Sequence, residues 1–275
     1  MRFGFITILI VIQFCFNDCK IKGQSTGQKE IDSLVNVLVK ERREWNDASE
    51  RLIAIGEPAV DKLLEVLLDK NIDSWPRRKA AMTLGGINSS KMITPCLNVF
   101  TDETEDIAVR NNACRALSST DINNYEDFFI QYSKGNDKLK NSCYQQLARI
   151  GSESAIDFLV SAFDSCDDMG KWIVLHDLEK YNRDDINQKF IAALDDNTWW
   201  MINEYARNIL VKKGEGVLEP LNNILNNEEN SEFMRWKAIW VIKGMETDKK
   251  MPILQNALKD KSWVIRNEAE VALNK

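Results

Sequence analysis

Apolar residues recur along most of this chain with the spacing of an α-helix, and the helical segments themselves recur about every 31 residues. An aliphatic residue marks each recurrence, and the steps between marks are 32, 33, 30, 31, 31, 33 and 31 residues. The marks are Leu52, Leu84, Leu117, Leu147, Leu178, Ile209, Ile242 and Leu273. Four residues before each mark stands a residue that is small in most repeats, such as Ala80 or Ala113. Because this spacing places both residues on one helical face, the pattern predicts a repeated helix, here called helix A.

A second amphipathic segment, here called helix B, follows each helix A. Its apolar residues are spaced as in Val60, Leu63, Leu64 and Leu67. Residues that can cap a helix stand eleven positions before most marks. They are Asp73, Asp106, Asn136, Asp167, Thr198, Ser231 and Ser262. The repeat is therefore predicted to be a hairpin of helix A, a tight turn, helix B and another tight turn.

One such hairpin cannot bury its apolar faces alone, whereas a stack of hairpins buries them in a continuous core. No alternation of period two persists along the chain, so strands are not expected. The sequence predicts an all-α protein, an α-solenoid of about eight helical hairpins over residues 42–275. Residues 25–41 form one further amphipathic helix that is expected to cap the first repeat.

The repeat resembles the HEAT-repeat family in its short bacterial form, related to phycobilisome-lyase-type repeats. That form has an apolar residue followed by Arg, then a small pair, then Leu. The matching residues are Val109-Arg110, Ala113-Cys114 and Leu117, with Ile265-Arg266, Ala269 and Leu273 in the last repeat. Two repeats depart, with Val174-Leu175 at the small pair and Ile202 where Arg is usual. The resemblance covers roughly residues 42–275 and implies a HEAT-like or armadillo-type superhelix, a scaffold that different functions use.

Residues 1–24 have the pattern of an export signal. A positive start is followed by a mostly apolar run at 3–16, shorter than the roughly 20 residues that span a bilayer. Cys19 allows the lipidation of bacterial lipoproteins, although bulky and charged residues precede it; cleavage around Gly23 or Gln24 is the other route. A buried N-terminal helix and a retained anchor are the alternatives. We expect an exported protein, periplasmic, envelope-associated or secreted.

Charge and chemistry exclude several classes of function. With 36 basic and 42 acidic residues the net charge is −6, which disfavours a nucleic-acid partner. The four cysteines beyond residue 24, Cys96, Cys114, Cys143 and Cys166, form no CxxC motif, and His176 is the lone histidine. No phosphate loop or hydrolase motif occurs. We therefore expect no catalytic residues, cofactor, metal or small-molecule substrate.

Basic residues also follow the repeat. They are Arg77, Arg110, Lys140, Lys171, Arg235 and Arg266. Such a row is compatible with a ladder that tracks phosphates, but pairing with acidic caps such as Asp73 and Asp106 or with helix ends of adjacent repeats is the simpler interpretation.

The tryptophans suggest where a partner binds. Trp172 and His176 share one face of their helix A, and Trp236 and Trp240 share the equivalent face two repeats later, where other repeats are polar. Trp199 and Trp200 begin the intervening helix A. Exposed aromatic clusters mark binding sites, so these six residues are the candidate site. Packing between adjacent A helices is the alternative explanation.

The sequence thus predicts a non-catalytic scaffold that binds a protein partner, with a membrane link only through Cys19. An accessory protein or enzyme of the HEAT-like lyase type is the second hypothesis. A structural envelope component without a discrete ligand is the third.

Overall fold

The computed structural model describes residues 27–135, 139–195 and 200–274, and these residues form helices joined by short turns. No strand occurs within those three ranges, and the predicted all-α class is confirmed. The chain divides into two compact units, with the boundary between Phe128 and Phe129. Within each unit the hairpins of helix A and helix B stack in sequence, which is the α-solenoid architecture. The predicted signal segment, residues 1–24, lies outside the described residues.

The first unit begins with helix α1 at residues 27–40, whose buried residues Ile31, Leu34, Val35 and Leu38 lie along one face. Its A helices are α2 (Trp45–Ile55), α4 (Ser74–Ile87) and α6 (Ile107–Ala116). Its B helices are α3 (Val60–Leu68), α5 (Ile93–Thr101) and the start of α7 (Glu126–Ser133). Helix α4 packs against α2, α3 and α6, so each hairpin contacts its successor.

The second unit continues the same pattern from the end of α7. Its A helices are α8 (Lys140–Ile150), α10 (Asp168–Leu178), α12 (Trp200–Lys213), α14 (Glu232–Ile242) and α16 (Trp263–Leu273). Its B helices are α9 (Glu153–Ala162), α11 (Asp184–Ala193), α13 (Leu218–Asn226) and α15 (Lys250–Ala257). Across the described ranges, no helix has both the length and the apolar character needed to cross a bilayer.

The repeated stripe of helix A forms the core. Leu52, Leu84, Leu117, Leu147, Leu178 and Ile242 are all fully buried. The small residues four positions earlier are buried as well in α4, α6 and α14, which lets the neighbouring helices approach closely. The hydrophobic stripe read from the sequence is therefore the surface along which the hairpins stack.

Helix α12 departs from the predicted core pattern at one residue, Tyr205, whereas its predicted mark, Ile209, is buried at 4% exposed. Ala206 and Leu210 are fully buried, whereas Tyr205 is half-buried and its hydroxyl donates a hydrogen bond to Glu179 at 2.6 Å. Tyr205 is therefore not a core residue of this repeat, and the neighbouring Ala206 is the small residue buried together with Ile209 and Leu210. The physical reason is that alanine fits between adjacent helices, while a phenol hydroxyl needs a polar partner near the surface.

Four predicted helix caps accept hydrogen bonds from backbone amides of the first helical turn. They are Asp106, Asp167, Ser231 and Ser262, at distances from 2.7 to 3.4 Å. Asp73 precedes α4 as predicted, but its side chain makes no capping bond. Asn136 and Thr198 lie outside the described residues. Side-chain capping thus sets the start of α6, α10, α14 and α16, whereas α2, α4 and α8 begin without a side-chain cap.

Three of the repeated arginines tie helix ends together. In each, the Nε atom donates to the backbone carbonyl of the residue ten positions earlier, at the end of the preceding helix B, at 2.8 to 2.9 Å. The pairs are Arg77 with Leu67, Arg110 with Phe100 and Arg235 with Leu225. The predicted pairing of these residues with helix ends of adjacent repeats is confirmed for these three arginines.

Two of the same arginines also bind a carboxylate in the turn that ends their own repeat. Arg77 pairs with Glu105, and Arg235 pairs with Asp260. Each acid lies in the turn before the next helix A, beside the capping position and not at it. The guanidinium of Arg77, for example, connects the end of α3 with the turn that follows α5.

All four described cysteines are buried. Burial was predicted for Cys96, Cys114 and Cys143. Cys166, which the sequence left open between free and paired, is 8% exposed, and its thiol donates to the carbonyl of Ala162 at 3.3 Å. Burial raises the pKa of Cys96 to about 12, as expected of a thiol surrounded by apolar atoms.

Candidate protein-interaction surface

Trp172 and His176 lie side by side on α10, as their spacing predicts. Their rings are stacked with centroids 5.1 Å apart and an angle of 24° between the planes. Tyr205 of α12 completes the cluster, 6.4 Å from the Trp172 ring and 6.2 Å from the His176 ring. Trp172 is consequently half-buried against the next helix A, while His176 remains exposed.

His176 is exposed and lies beside an aspartate. Its Nδ1 atom lies 3.1 Å from a carboxylate oxygen of Asp177, and the side chain is 52% exposed. Burial raises the pKa of Asp177, while the hydrogen bond to the imidazole opposes that shift. In the part of the chain that the structure describes, no hydroxyl or thiol is hydrogen-bonded to His176. The ring can stack on an aromatic group and can carry a positive charge.

Trp236 and Trp240 form a second stack, on α14. Their ring planes are 7° apart in angle with centroids 5.6 Å apart, and Phe233 extends the stack with its centroid 5.7 Å from Trp236. The Trp236 indole donates to Glu268 of α16 at 3.2 Å. Both tryptophans are half-buried, so part of each ring serves packing between neighbouring A helices.

Two cations lie over this second stack. The Arg207 guanidinium is 4.5 Å from the centroid of Trp240, and the Lys237 ammonium is 4.8 Å from the same ring. Lys237 is 8% exposed, and burial lowers its pKa. The faces of the stack are thus held by cation–π contacts within the second unit.

A further group of exposed apolar residues lies in the first turns of the A helices of the second unit. Trp200 is the first residue of α12 and is 73% exposed, whereas Trp199 lies outside the described residues. Trp263 is the first residue of α16 and is 68% exposed. Phe233 and Met169 are the second residues of α14 and α10 and are 46% and 50% exposed.

Helices α10, α12, α14 and α16 pack in succession, so these first turns are neighbours. Trp172 contacts Tyr205, and Trp236 contacts Glu268 one repeat later, which shows that adjacent A helices run parallel and nearly in register. The same end of each helix therefore carries an exposed apolar group. We call the set Met169, Trp200, Met201, Phe233 and Trp263 the apolar row.

Sequence reasoning identified Trp200 of this row and missed Met169, Met201, Phe233 and Trp263. The signal that finds them is their position, five or six residues before the buried small residue of the same helix. The residues predicted to share a surface are divided by the structure: Trp172, Trp236 and Trp240 are half-buried on the middle of their helices, and Trp200 is exposed at a helix start.

The described residues contain no group of three histidine, cysteine or carboxylate side chains arranged to hold a metal ion. Nothing in the clusters above pairs a nucleophile with a base. The arrangement offers stacked aromatic rings, adjacent cations and exposed apolar groups, which are the features of a binding surface.

No family model matches the chain, and no curated protein matches it either. Among solved structures, the chain is similar to YibA of Escherichia coli, with a TM-score of 0.54, 17% identity, and coverage of 91% of this chain and 96% of YibA. It is also similar to Kap95p, a protein that binds RanGDP, with a TM-score of 0.58, 14% identity, and coverage of 88% of this chain and 39% of Kap95p.

A third similar structure is the complex of CpcE and CpcF of the phycocyanin lyase of Nostoc, with a TM-score of 0.46, 16% identity, and coverage of 81% of this chain and 91% of that chain. This likeness is too distant to support a shared activity. At these identities the likenesses show the fold alone. The likenesses to YibA and Kap95p confirm, at the level of the fold, the resemblance to HEAT-type repeats, and the chain has the helical-repeat fold that interaction scaffolds use.

Proposed function

We propose that this protein is a non-catalytic scaffold that binds a protein partner through the apolar row of its second unit. The observation that carries the proposal is the repeated exposure of a large apolar side chain at one end of four adjacent A helices. Exposed apolar groups in a cluster mark interaction sites, and tryptophan is enriched among the residues that dominate binding energy.

The half-buried aromatics have a supporting role in this proposal. Trp236 and Trp240 are stacked beneath Arg207 and Lys237, and Phe233 joins their stack to the apolar row. A partner that covers Phe233 therefore rests on side chains that are already ordered, which reduces the entropy lost on binding.

The chemistry of the row favours a protein over other partners. Its members are apolar, and the chain carries a net charge of −6, which opposes phosphate backbones. The two most exposed members, Trp200 and Trp263, present wide flat rings of the kind that fill pockets on a partner protein.

We further propose that the protein works outside the cytoplasm. The support is the apolar run at residues 3–16 after a positive start, with Cys19 as a lipidation site or Gly23–Gln24 as a cleavage region. Fractionation of cells that express the full chain, with N-terminal sequencing, tests this proposal. Membrane association that is lost in Cys19→Ser supports a lipid anchor, and a chain that keeps its first residues in the cytoplasm refutes export.

Site-specific photo-cross-linking tests the binding site. We would place a photoreactive phenylalanine analogue at position 263 or 200 and, as a matched control, at position 107. Ile107 is also an exposed first residue of a helix A, but it belongs to the first unit. Cross-links to one defined protein from positions 263 and 200, and none from 107, are the expected result.

Substitution gives the complementary test. The double variant Trp200→Ser with Trp263→Ser is expected to keep its helical circular dichroism, because both side chains are mostly exposed, and to lose partner capture at least about tenfold. Ile107→Ser is expected to keep capture. Unchanged capture by the double variant would refute the proposed site.

A further inference from the structure

Two neighbouring B helices of the second unit, α11 and α13, border a groove of about 500 Å³. Its walls carry three carboxylates, Asp184, Glu215 and Glu219, and the amides of Asn187, Gln188 and Asn223. All residues that line the groove are described, and none of them is basic. The groove is thus acidic and rich in hydrogen-bond acceptors.

Asn187 is the unusual member of this set. It is 3% exposed, and its Oδ1 atom has no hydrogen-bond partner among the described residues. Ile156, 31 residues earlier, and Leu218, 31 residues later, are buried apolar residues at the same position of their B helices. Since a buried amide without a partner destabilises a protein, the departure from the repeat at this position calls for a ligand that supplies the missing donor.

The carboxylates differ in whether their charge is already compensated. Glu215 accepts hydrogen bonds from Lys249 at 2.7 Å and Thr247 at 2.8 Å, and the bond from Lys249 is the main reason why its pKa is lowered. Asp184 and Glu219 form no ion pair with any residue in the described ranges. Two negative charges beside an unpartnered acceptor are therefore open to a cation.

Resting on the proposal that this chain binds a polypeptide, we infer that the groove between α11 and α13 receives an arginine side chain of the partner. A guanidinium has five donors in a fixed plane, which suits two carboxylates and an amide oxygen together. A bare divalent cation fits less well, because no three metal-binding side chains of the described residues, including the three carboxylates of the groove, are arranged to hold a metal ion.

A second pocket shows why the cation belongs to a polypeptide. This pocket, of about 510 Å³, shares Glu215, Gly216 and Glu219 with the groove and continues across α13 to α15. Its walls include Leu218 and Ile253. A chain that inserts arginine into the groove can thus place an apolar side chain against Leu218 and Ile253, which a free small cation does not use.

Titration of the purified full chain with synthetic peptides tests the inference. The first peptide contains one arginine two residues before a leucine in a glycine–serine background, and the second has citrulline in place of the arginine. We expect the arginine peptide to bind saturably with a Kd of about 1 mM or tighter, and the citrulline peptide to bind about tenfold more weakly. Equal binding of both peptides overturns the inference.

Variants locate the binding. Glu219→Gln removes one carboxylate charge that has no ion pair. Asn187→Leu restores the apolar residue type of the neighbouring repeats. Each substitution is expected to weaken the binding of the arginine peptide about tenfold. Glu229→Gln removes one charge from the turn after α13, outside the groove, and is expected to leave binding unchanged. Wild-type affinity in both Glu219→Gln and Asn187→Leu overturns the inference, provided that circular dichroism shows folded variants.

Two further outcomes separate this inference from the proposed function. If the arginine peptide fails to bind while position 263 still cross-links to a partner, the groove is refuted and the scaffold function stands. If free arginine binds as tightly as the peptide, the groove belongs to a small cation and the assignment to a polypeptide is overturned.

Discussion

The buried ion pair between Arg77 and Glu105 allows a direct test of how the repeats are joined. Both side chains are nearly inaccessible, 5% and 4% exposed. Arg77 donates to Glu105 through both Nη atoms, with Nη1 at 2.9 Å from Oε1, and its Nε donates to the Leu67 carbonyl at 2.8 Å. Arg77→Met keeps the apolar stem of the side chain and removes all three bonds, which leaves the Glu105 carboxylate buried without its cation.

Removal of one partner from a buried pair costs about 3 to 5 kcal/mol of the free energy of unfolding, mainly because an uncompensated charge remains. We expect a loss of this size for Arg77→Met in urea unfolding followed by circular dichroism. The double variant Arg77→Met with Glu105→Gln leaves no buried charge and is expected to lose less, about 1 to 2 kcal/mol.

The control for this experiment is the exposed pair of Lys70 and Asp102, which also joins successive repeats of the first unit. Lys70→Met is expected to change stability little, because solvent screens exposed pairs. The reasoning is refuted if Arg77→Met is as mild as Lys70→Met, or if the double variant is no more stable than Arg77→Met alone.

Three further predictions concern local features. Ser262→Ala removes the cap of α16, whose Oγ accepts from the Ile265 amide at 3.4 Å, and is expected to lower the free energy of unfolding by about 1 kcal/mol, with Ser262→Thr as the milder control. Gly151 has φ +65°, and an added Cβ would lie 2.6 Å from the Tyr181 hydroxyl; Gly151→Ala is expected to cost about 1 to 2 kcal/mol in thermal unfolding, and an unchanged melting temperature would contradict the argument. Cys96, with its pKa raised to about 12, is expected to resist iodoacetamide at pH 8 in the native protein and to react after unfolding; mass spectrometry reads the result, and native alkylation would contradict its burial.

The fold was predictable because each repeat carries the same information. A small residue and a leucine four positions later, as in Ala80 and Leu84, define the buried face of helix A, and this face is the same in each repeat whichever helix packs against it. Helix α12 shows the limit of this reasoning. Tyr205 and Ala206 each lie four residues before a buried aliphatic residue, so the choice of Ala206 as the core residue is made by packing against α10 and α14.

The candidate site was less predictable, because exposure depends on neighbours that the sequence does not place. Trp236 and Trp263 are both tryptophans on an A helix, and the sequence does not distinguish them. In the structure Trp236 is half-buried, whereas Trp263 is 68% exposed. Asn187 is visible in the sequence as an amide in helix B, but its burial without a partner emerges only when α11 is packed in the hairpin stack.

The ten-residue link of Arg77 to Leu67 and of Arg110 to Phe100 has a consequence for how such a chain can grow. A gene duplication of residues 74–106 would place the second copy of Arg77 ten positions after Phe100, and its Nε could donate a hydrogen bond to the Phe100 carbonyl as Arg110 does. The same insertion would bring its own copy of Glu105. The protein can therefore gain one hairpin without leaving a buried charge unpaired. A change in the number of hairpins is expected to lower its stability little.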